Sequence, residues 1–434
     1  MYIYIYIYTK ARHVVITTQT MMMECETTVE KKENGHDMTT TMTTTDLESK
    51  TCTMSSSNVE TIVSPRKRKG RTMVRVRVPA TSANLGPGFD CIGMAVDIWN
   101  ELKAEVVVDD DDDVCDFVIT AEGSGAKDMP QGDKSKDNLV YLGMKAAYEA
   151  AGTKMPKLRC HCINRIPFAR GLGSSSAAIV GGIIAGLALS GHELNVWGDI
   201  VQSAGARPRK HAVKGEEILQ IAAGIEGHPD NVAPALYGGI QLGIHTSTSG
   251  DSKDGRWLSA RVPVPEGVQL IIFVPDQQFE TKTARKLLPS TYDPKEVVFN
   301  VGRAAFLVNA LNKGEFRDLY FGTQDAMHQP YRATVLKHLN PLIEAAIDAG
   351  AHGCYLSGAG PTVLAITSGA AGDIFTQRAE ERCEIAVADA MRRTAEARSV
   401  KGKVYITSPS IRGAHIVEAK PPFSEGVVEY PGAI

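Results

Sequence analysis

The sequence predicts an α+β fold in two halves, and three observations carry that prediction. Strands and helices are mixed in both halves, without the regular alternation of a doubly wound parallel sheet. A turn of glycines and serines runs directly into Ile179 to Leu187, an apolar stretch of small residues that reads as a buried helix. A proline-punctuated stretch from Val262 to Gly267 separates the halves. The expected organisation is a low-complexity tail over residues 1–72, a first domain over 73–262 and a second over 263–434.

Met1 to Tyr8 alternates Tyr and Ile, and Thr39 to Thr45 is nearly all threonine, so the tail has too little patterned apolar surface to fold. Glu24, Glu26, Glu30, Glu33 and Asp37 depart from the acid-poor composition of a plastid transit peptide. Order is expected to begin at Met73, and a chain starting there is expected to keep full activity. Val74 to Val78 alternates as a half-buried strand, predicted to end at Pro79 and open a polar loop from Thr81 to Asp90. Strands over Asp97 to Val108 and Phe117 to Thr120 flank the aspartates Asp109 to Asp113, which predicts a hairpin with a solvated tip. That run lacks the alternating spacing of a calcium loop. A helix over Asn138 to Ala151, a strand over Lys157 to Arg165, the buried helix Gly173 to Ser190 and a helix near Glu216 to Ile225 follow. A strand at Gly239 to His245 and a polar loop from Thr246 to Gly255 close the first half. The second half reads as a strand at Val268 to Val274, then helices near Pro294 to Asn312 and Pro341 to Ala349. A strand–turn–strand at Cys354 to Ile366, a helix from Ala371 to Thr394 and a strand at Lys403 to Thr407 complete it.

A chain of 434 residues suits two domains at about 150 residues each. The formal charge of −3 gives no electrostatic reason to expect nucleic acid or a membrane surface as partner. The basic run Arg66 to Lys69, with Arg71, reads as a solvated tail, and no apolar stretch approaches the roughly 20 residues of a membrane span. The 8 cysteines show neither disulfide nor zinc spacing, which fits a reducing compartment, and a cytoplasmic location is expected. Cys160-His161-Cys162 resembles a metal motif, but on a strand the two cysteines share one face and His161 takes the other.

Pro167 to Ala178 reads Pro-Phe-Ala-Arg-Gly-Leu-Gly-Ser-Ser-Ser-Ala-Ala. Glycines can turn consecutive N–H groups into one concavity, and a following helix adds unpaired donors and the positive end of its dipole. Serine hydroxyls can bind phosphate oxygens or a magnesium ion, so a polyphosphate is the natural occupant. The stretch is neither a Walker loop nor a dinucleotide fingerprint. Taken alone it is equally a helix start with a serine N-cap.

Two further segments accompany it. Pro79-Ala-Thr-Ser-Ala-Asn-Leu-Gly-Pro-Gly-Phe-Asp90, the serine-rich loop and Leu356-Ser-Gly-Ala-Gly-Pro-Thr-Val363 together resemble the three motifs of the GHMP small-molecule kinases. The resemblance runs from Met73 to the C-terminal strand. His228-Pro-Asp-Asn-Val-Ala-Pro234 and His328-Gln-Pro-Tyr-Arg332 narrow it to the homoserine-phosphorylating branch. It implies the GHMP kinase fold: an N-terminal domain resembling part of a ribosomal protein, a C-terminal ferredoxin-like domain, and a cleft between them. It implies ATP- and Mg2+-dependent phosphorylation of the side-chain hydroxyl of L-homoserine to O-phospho-L-homoserine, and a homodimer.

Residue by residue, the resemblance places Pro167, Arg170, Gly171, Leu172, Gly173, Ser174, Ser175, Ser176 and Ala177 at ATP. Ser175 and Glu226 are the implied magnesium ligands. The spacing from Glu226 to Asn231 is shorter than in other branches, which leaves Glu217 as the alternative. Arg285 and Arg332 match the arginines that grip the substrate carboxylate, where a planar guanidinium suits bidentate binding. Asp90 matches the acid facing the ammonium, and Asn84 and Asn231 match the amides that orient the hydroxyl. Asn231, Asp230 and Arg332 are the implied catalytic set. Asp230 is either a general base or a loop brace, and the brace is expected. Two alternatives stay open: a related kinase acting on a shikimate- or mevalonate-like alcohol, and a non-catalytic metabolite sensor on the same fold. The adenine pocket is left unassigned.

Overall fold

The computed structural model describes residues 70–107, 116–196, 212–247, 255–368 and 383–422. The acidic run at 109–113 and residues 1–69 of the expected tail over 1–72 lie outside these residues. In chain order the first half contains β1 (Met73–Asn84), β2 (Gly88–Val106), β3 (Phe117–Gly123), α1 (Leu139–Ala150), β4 (Leu158–Asn164) and α2 (Ser174–Leu189). The short strands β5 (Leu194–Asn195) and β6 (Val213–Lys214) follow, then α3 (Gly215–Glu226), α4 (Val232–Tyr237), β7 (Ile240–His245) and β8 (Trp257–Val262). The second half begins with β9 (Gln269–Pro275), α5 (Thr281–Lys286), α6 (Pro294–Lys313), α7 (Leu319–Gly322), α8 (Gln329–Ala333) and α9 (Leu339–Asp348). It ends with β10 (Gly353–Leu356), β11 (Val363–Thr367), α10 (Glu384–Ala397), β12 (Gly402–Thr407) and β13 (His415–Lys420).

The first sheet runs β13-β1-β2-β4-β3, with β7 and β8 continuing from β2. Its pairs are antiparallel except β3 with β4. The expected hairpin across the acidic run does not form. One side of β2 pairs with β1, and Glu101 to Val106 on its other side pair with β4, so β3 finds its partner beyond β4. The helix α1 supplies the crossover that a parallel β3–β4 pair needs. Nor does β1 stop at Pro79: it shifts register there and pairs with β2 as far as Asn84. Pro79 is tolerated because β13 covers only Met73 to Arg77, so its missing N–H lies where that flank has ended.

The second sheet, β10-β11-β9-β12, is antiparallel throughout, with helices on the β9-to-β10 and β11-to-β12 connections. That order is the ferredoxin-like arrangement that the resemblance implied for the second half. β9 is apolar on both faces: Leu270, Ile272 and Val274 join the core of the first half, while Ile271 and Phe273 pack with Leu342 of α9 and Met391 of α10. A strand buried on both sides reads as a continuous apolar run, as this one does. The final helix begins at Glu384, and the expected start at Ala371 lies outside the described residues. The last strand, β13, returns to pair with β1 in the first sheet. The sequence reading missed it, together with β8, where Leu258 and Ala260 of the alternating run Leu258 to Val262 are exposed.

The helix α2 is buried almost along its length and packs closely on α1, because Gly143, Gly182 and Gly186 leave no side chains between the backbones. A Cβ on Gly182 would lie 2.4 Å from the Val140 carbonyl oxygen. The strand reading of the cysteine motif holds: Cys160 and Cys162 are buried and His161 is exposed. Burial pushes the Cys162 thiol up to about 12, and the nearest sulfur contact of Cys160 is Met144 Sδ at 3.8 Å. No described helix is long and apolar enough to cross a membrane.

Candidate active site

The glycine–serine turn is a backbone cradle. Gly171 and Gly173 take positive φ, 75° and 68°, a region that an L side chain resists. A Cβ on Gly173 would sit 1.8 Å from Thr81 Oγ1, so the loop lies directly against the first motif. Gly173 itself is the N-cap of α2, so the alternative of a helix start with a serine cap does not describe this turn. Ser174 and Ser175 open the helix and line a cavity of about 500 Å³ with Gly171, Gly173 and Ala177. Pro167, Leu172 and Ser176 are buried, but they are not on the cavity wall.

The three motifs interlock behind this loop. Ser357 Oγ donates to the Gly171 carbonyl at 2.7 Å and also meets Ser82 Oγ at 2.8 Å. Arg170 spends its guanidinium on the carbonyls of Phe168, Pro275 and Asp276, which anchors the loop to the end of β9. Two of its five N–H groups remain, and Arg170 borders the same cavity.

At the end of α3, Glu226 Oε1 accepts a hydrogen bond from Ser175 Oγ at 2.9 Å. Glu217 sits at the opposite end of the same helix, where its carboxylate accepts from the Lys214 N–H at 2.8 Å. Helix geometry therefore puts Glu226, and not Glu217, beside Ser175. A hydroxyl and a carboxylate meeting beside a helix N-terminus are hard oxygen donors of the kind a magnesium ion takes.

The loop after β1 reverses sharply, with Asn84, Leu85 and Asp90 all at positive φ. Asn84 stabilises the reversal: its Oδ1 accepts from the Asp90 N–H at 3.1 Å and its Nδ2 donates to the Gly358 carbonyl at 3.2 Å. Asp90 and Arg285 form a two-pronged ion pair, 2.9 Å and 2.7 Å. Arg332 is 2 % exposed and donates to the Gly358 carbonyl and to His328 Nδ1. Its Nε has no hydrogen-bond partner among the described residues. Burial, with the charge of Arg285 beside it, pushes the Arg332 pKa down to about 10. Phe89 supports both cations, with its ring centroid 5.5 Å from the Arg285 guanidinium and 5.6 Å from that of Arg332.

Asn231 joins the two ends. Its Oδ1 accepts from Thr81 Oγ1 at 2.7 Å and would lie 3.2 Å from a Cβ on Gly173. Its neighbour Asp230 is buried and accepts from His228 Nδ1–H, and the ligand atoms of Asp90, His228 and Asp230 lie within 4.8 Å of one another. Hydrogen bonds and close approaches thus connect the glycine–serine turn with the ion pair.

The chain matches the model of the GHMP kinase N-terminal domain over residues 138–239 and that of the C-terminal domain over 307–385. It is 38% identical over 345 residues to the homoserine kinase of Desulfitobacterium hafniense, covering 80% of this chain and 100% of that protein. The chain belongs to the homoserine kinase family. The homoserine kinase of Clostridium botulinum, strain Kyoto, is 37% identical over 292 residues, 67% of this chain and 85% of that protein. The crystal structure of homoserine kinase from Cytophaga hutchinsonii superposes with a TM-score of 0.64 at 25% identity, covering 81% of this chain and 100% of that one.

Several residues of this family member were given no role of their own from its sequence. Phe89 lies inside the first motif, but its contact with both arginines depends on bringing α5 and α8 to the same loop. His328 is fully buried, and its tautomer follows from its partners. Arg332 donates to Nδ1, so the proton sits on Nε2, which donates to the Gly86 carbonyl at 2.7 Å. Burial lowers its pKa, in keeping with a neutral ring. For His228 burial also opposes the charge, but the hydrogen bond and charge of Asp230, with Asp90 and Glu226 beyond, raise its pKa overall. The apolar wall of the cavity comes from Met129, Pro130, Leu139, Ile166 and Phe168. Met129 and Pro130 come from one turn, Leu139 from the start of α1, and Ile166 and Phe168 from the loop after β4, so no local pattern marks them as one surface.

Proposed function

We propose that the protein transfers the γ-phosphoryl group of ATP to the side-chain hydroxyl of L-homoserine, giving O-phospho-L-homoserine and ADP. The observation that carries this reading is the single cavity with a phosphate cradle at one end and amino-acid-binding charges at the other, joined through Asn231. Residues 73–262 supply the cradle, Glu226 and Asn231, while 263–434 supply both arginines. The apolar wall from Met129 to Phe168 suits the base of the nucleotide, the pocket the sequence left blank.

Ser175 and Glu226 would hold Mg2+, which when bound neutralises phosphate charge. The buried Arg332, with its unpartnered Nε, suits the substrate carboxylate. Asp90 takes the ammonium, and Asn231 holds the reacting hydroxyl near the cradle. Asn84, with both amide ends on backbone groups, acts by shaping the loop. Asp230 is engaged by His228 and buried, which favours bracing over proton abstraction. The hydroxyl oxygen attacks the γ-phosphorus as the bond to ADP breaks, and its proton leaves late to a phosphoryl oxygen. Such a reaction depends on positioning and charge stabilisation more than on a dedicated base.

The paired arginines favour an amino acid over an isoprenoid alcohol, and the Ser175–Glu226 contact favours an enzyme over a sensor. A homodimer and a cytoplasmic location belong to the same reading, and sedimentation equilibrium tests the first. An ADP-release assay with L-homoserine, shikimate, mevalonate and galactose tests the activity. Turnover is expected with L-homoserine; its absence there ends the proposal.

A further inference from the structure

Asp90 and Arg285 present an unusual problem for a site that must receive both an ammonium and a carboxylate. Each is already the other's partner, through two hydrogen bonds of 2.9 Å and 2.7 Å, and both line the same cavity. With both Nη atoms on one carboxylate, the end-on fork of Arg285 is occupied, and a ligand carboxylate takes that fork only by displacing Asp90. Arg332 differs, since it donates to a carbonyl and a ring nitrogen and touches no carboxylate within salt-bridge distance among the described residues.

We infer that the Asp90–Arg285 pair is an exchangeable clasp which makes recognition of the acceptor's ammonium and carboxylate cooperative, so that the site selects zwitterions over alcohols carrying either charge alone. The inference rests on the amino-acid reading of the acceptor. A ligand bearing only a carboxylate that is gripped by the Arg285 fork as well as by Arg332 must take that fork from Asp90, and it leaves Asp90 with no counter-charge. A ligand bearing only an ammonium leaves Arg285 in the same state, beside the like charge of Arg332. A zwitterion separates the pair once and replaces both partners. The opening cost thus falls in full on each singly charged ligand but is shared by the two charges of the zwitterion.

This has a consequence that a merely additive site would not show. Breaking the clasp by mutation removes the opening cost for a ligand that needs only the surviving partner. In Asp90→Asn, Arg285 is released, and asparagine tolerates the φ of 58° that Asp90 adopts. That variant should bind 4-hydroxybutanoate about tenfold more tightly than the wild type does, while L-homoserine binds at least about tenfold more weakly. In Arg285→Gln the mirror result is expected: 3-aminopropan-1-ol gains affinity while L-homoserine loses it.

Dissociation constants measured by competition and by direct titration, on variants whose thermal unfolding remains cooperative, decide the matter. The gains should persist in 0.5 M KCl, because a long-range change of net charge would be screened there while a released fork would not. Unchanged or weaker binding of 4-hydroxybutanoate to Asp90→Asn, or a gain that vanishes in salt, overturns the inference. If that variant does not fold, the Arg285→Gln result decides alone. Failure of the wild type to phosphorylate L-homoserine is a separate outcome, which sinks the proposed activity whatever the two analogues do.

Discussion

Charge in this site is arranged so that few groups stand alone. Arg332 is buried beside another arginine, Asp90 is matched by Arg285, and Asp230 is matched by His228. The His228 pair makes stability depend on pH in a definite direction. Its pKa in the folded protein lies above the ordinary 6.5, so the protonated ring stabilises the fold fully below that value. The contribution is lost as pH rises through the raised pKa. Replacing His228 with Gln should therefore lower the unfolding temperature more at about pH 6 than at about pH 9. Equal losses at both values would show that the ring acts only by packing. NMR titration of His228 in Asp230→Asn should also report a lower pKa than in the wild type.

At the level of elements, the site depends on how closely α2 approaches its neighbours. The helix carries the cradle at its first turn, and its position is set by contact with α1 through Gly143, Gly182 and Gly186. Substituting Ala for Gly182 gains up to about 1 kcal/mol in helix propensity. The new Cβ would stand 2.4 Å from the Val140 carbonyl oxygen, which is backbone and cannot turn aside. Overpacking of this kind costs about 1–3 kcal/mol, so the clash should win and Gly182→Ala should unfold at lower denaturant than wild type. An unchanged or higher midpoint would mean that α1 and α2 separate without loss. Glu226 illustrates the same scale: its place at the end of α3 puts it against Ser175, while Glu217 serves the helix start.

At the level of the whole molecule, the two ends of the described chain meet. Thr72 N–H donates to the Lys420 carbonyl, the Thr72 carbonyl accepts from Val106, and Arg71 reaches the Ala188 carbonyl at the end of α2. The fold thus recruits residues just ahead of Met73, where order was expected to start. A chain beginning at Gly70 should keep wild-type activity and unfolding temperature, whereas one beginning at Met73 should be measurably less stable. Removing residues after Gly413 strips β13 from β1 and should abolish cooperative unfolding of the first sheet, since β1 then becomes an unprotected edge. Circular dichroism melts of the three chains distinguish these outcomes.

Local chemistry was legible in the sequence because it is written in short runs. Gly171 to Ser175, Leu356 to Val363 and the alternation of β1 each declare a backbone requirement within a few residues. Helices α1, α2, α3 and α6 fall close to their predicted limits for the same reason, and the mixed α+β class follows from their order. What only the tertiary structure decided is which groups answer one another across long separations. Ser175 and Glu226 meet from different helices, Arg285 turns to Asp90, and Arg170 reaches the carbonyl of Pro275 at the end of β9. Likewise β3 pairs beyond β4, and β13 closes on β1 from the far end of the chain. A sequence states what each segment prefers, but a charge or a strand edge is satisfied by whatever the fold brings within reach, and that is set by packing of the whole chain.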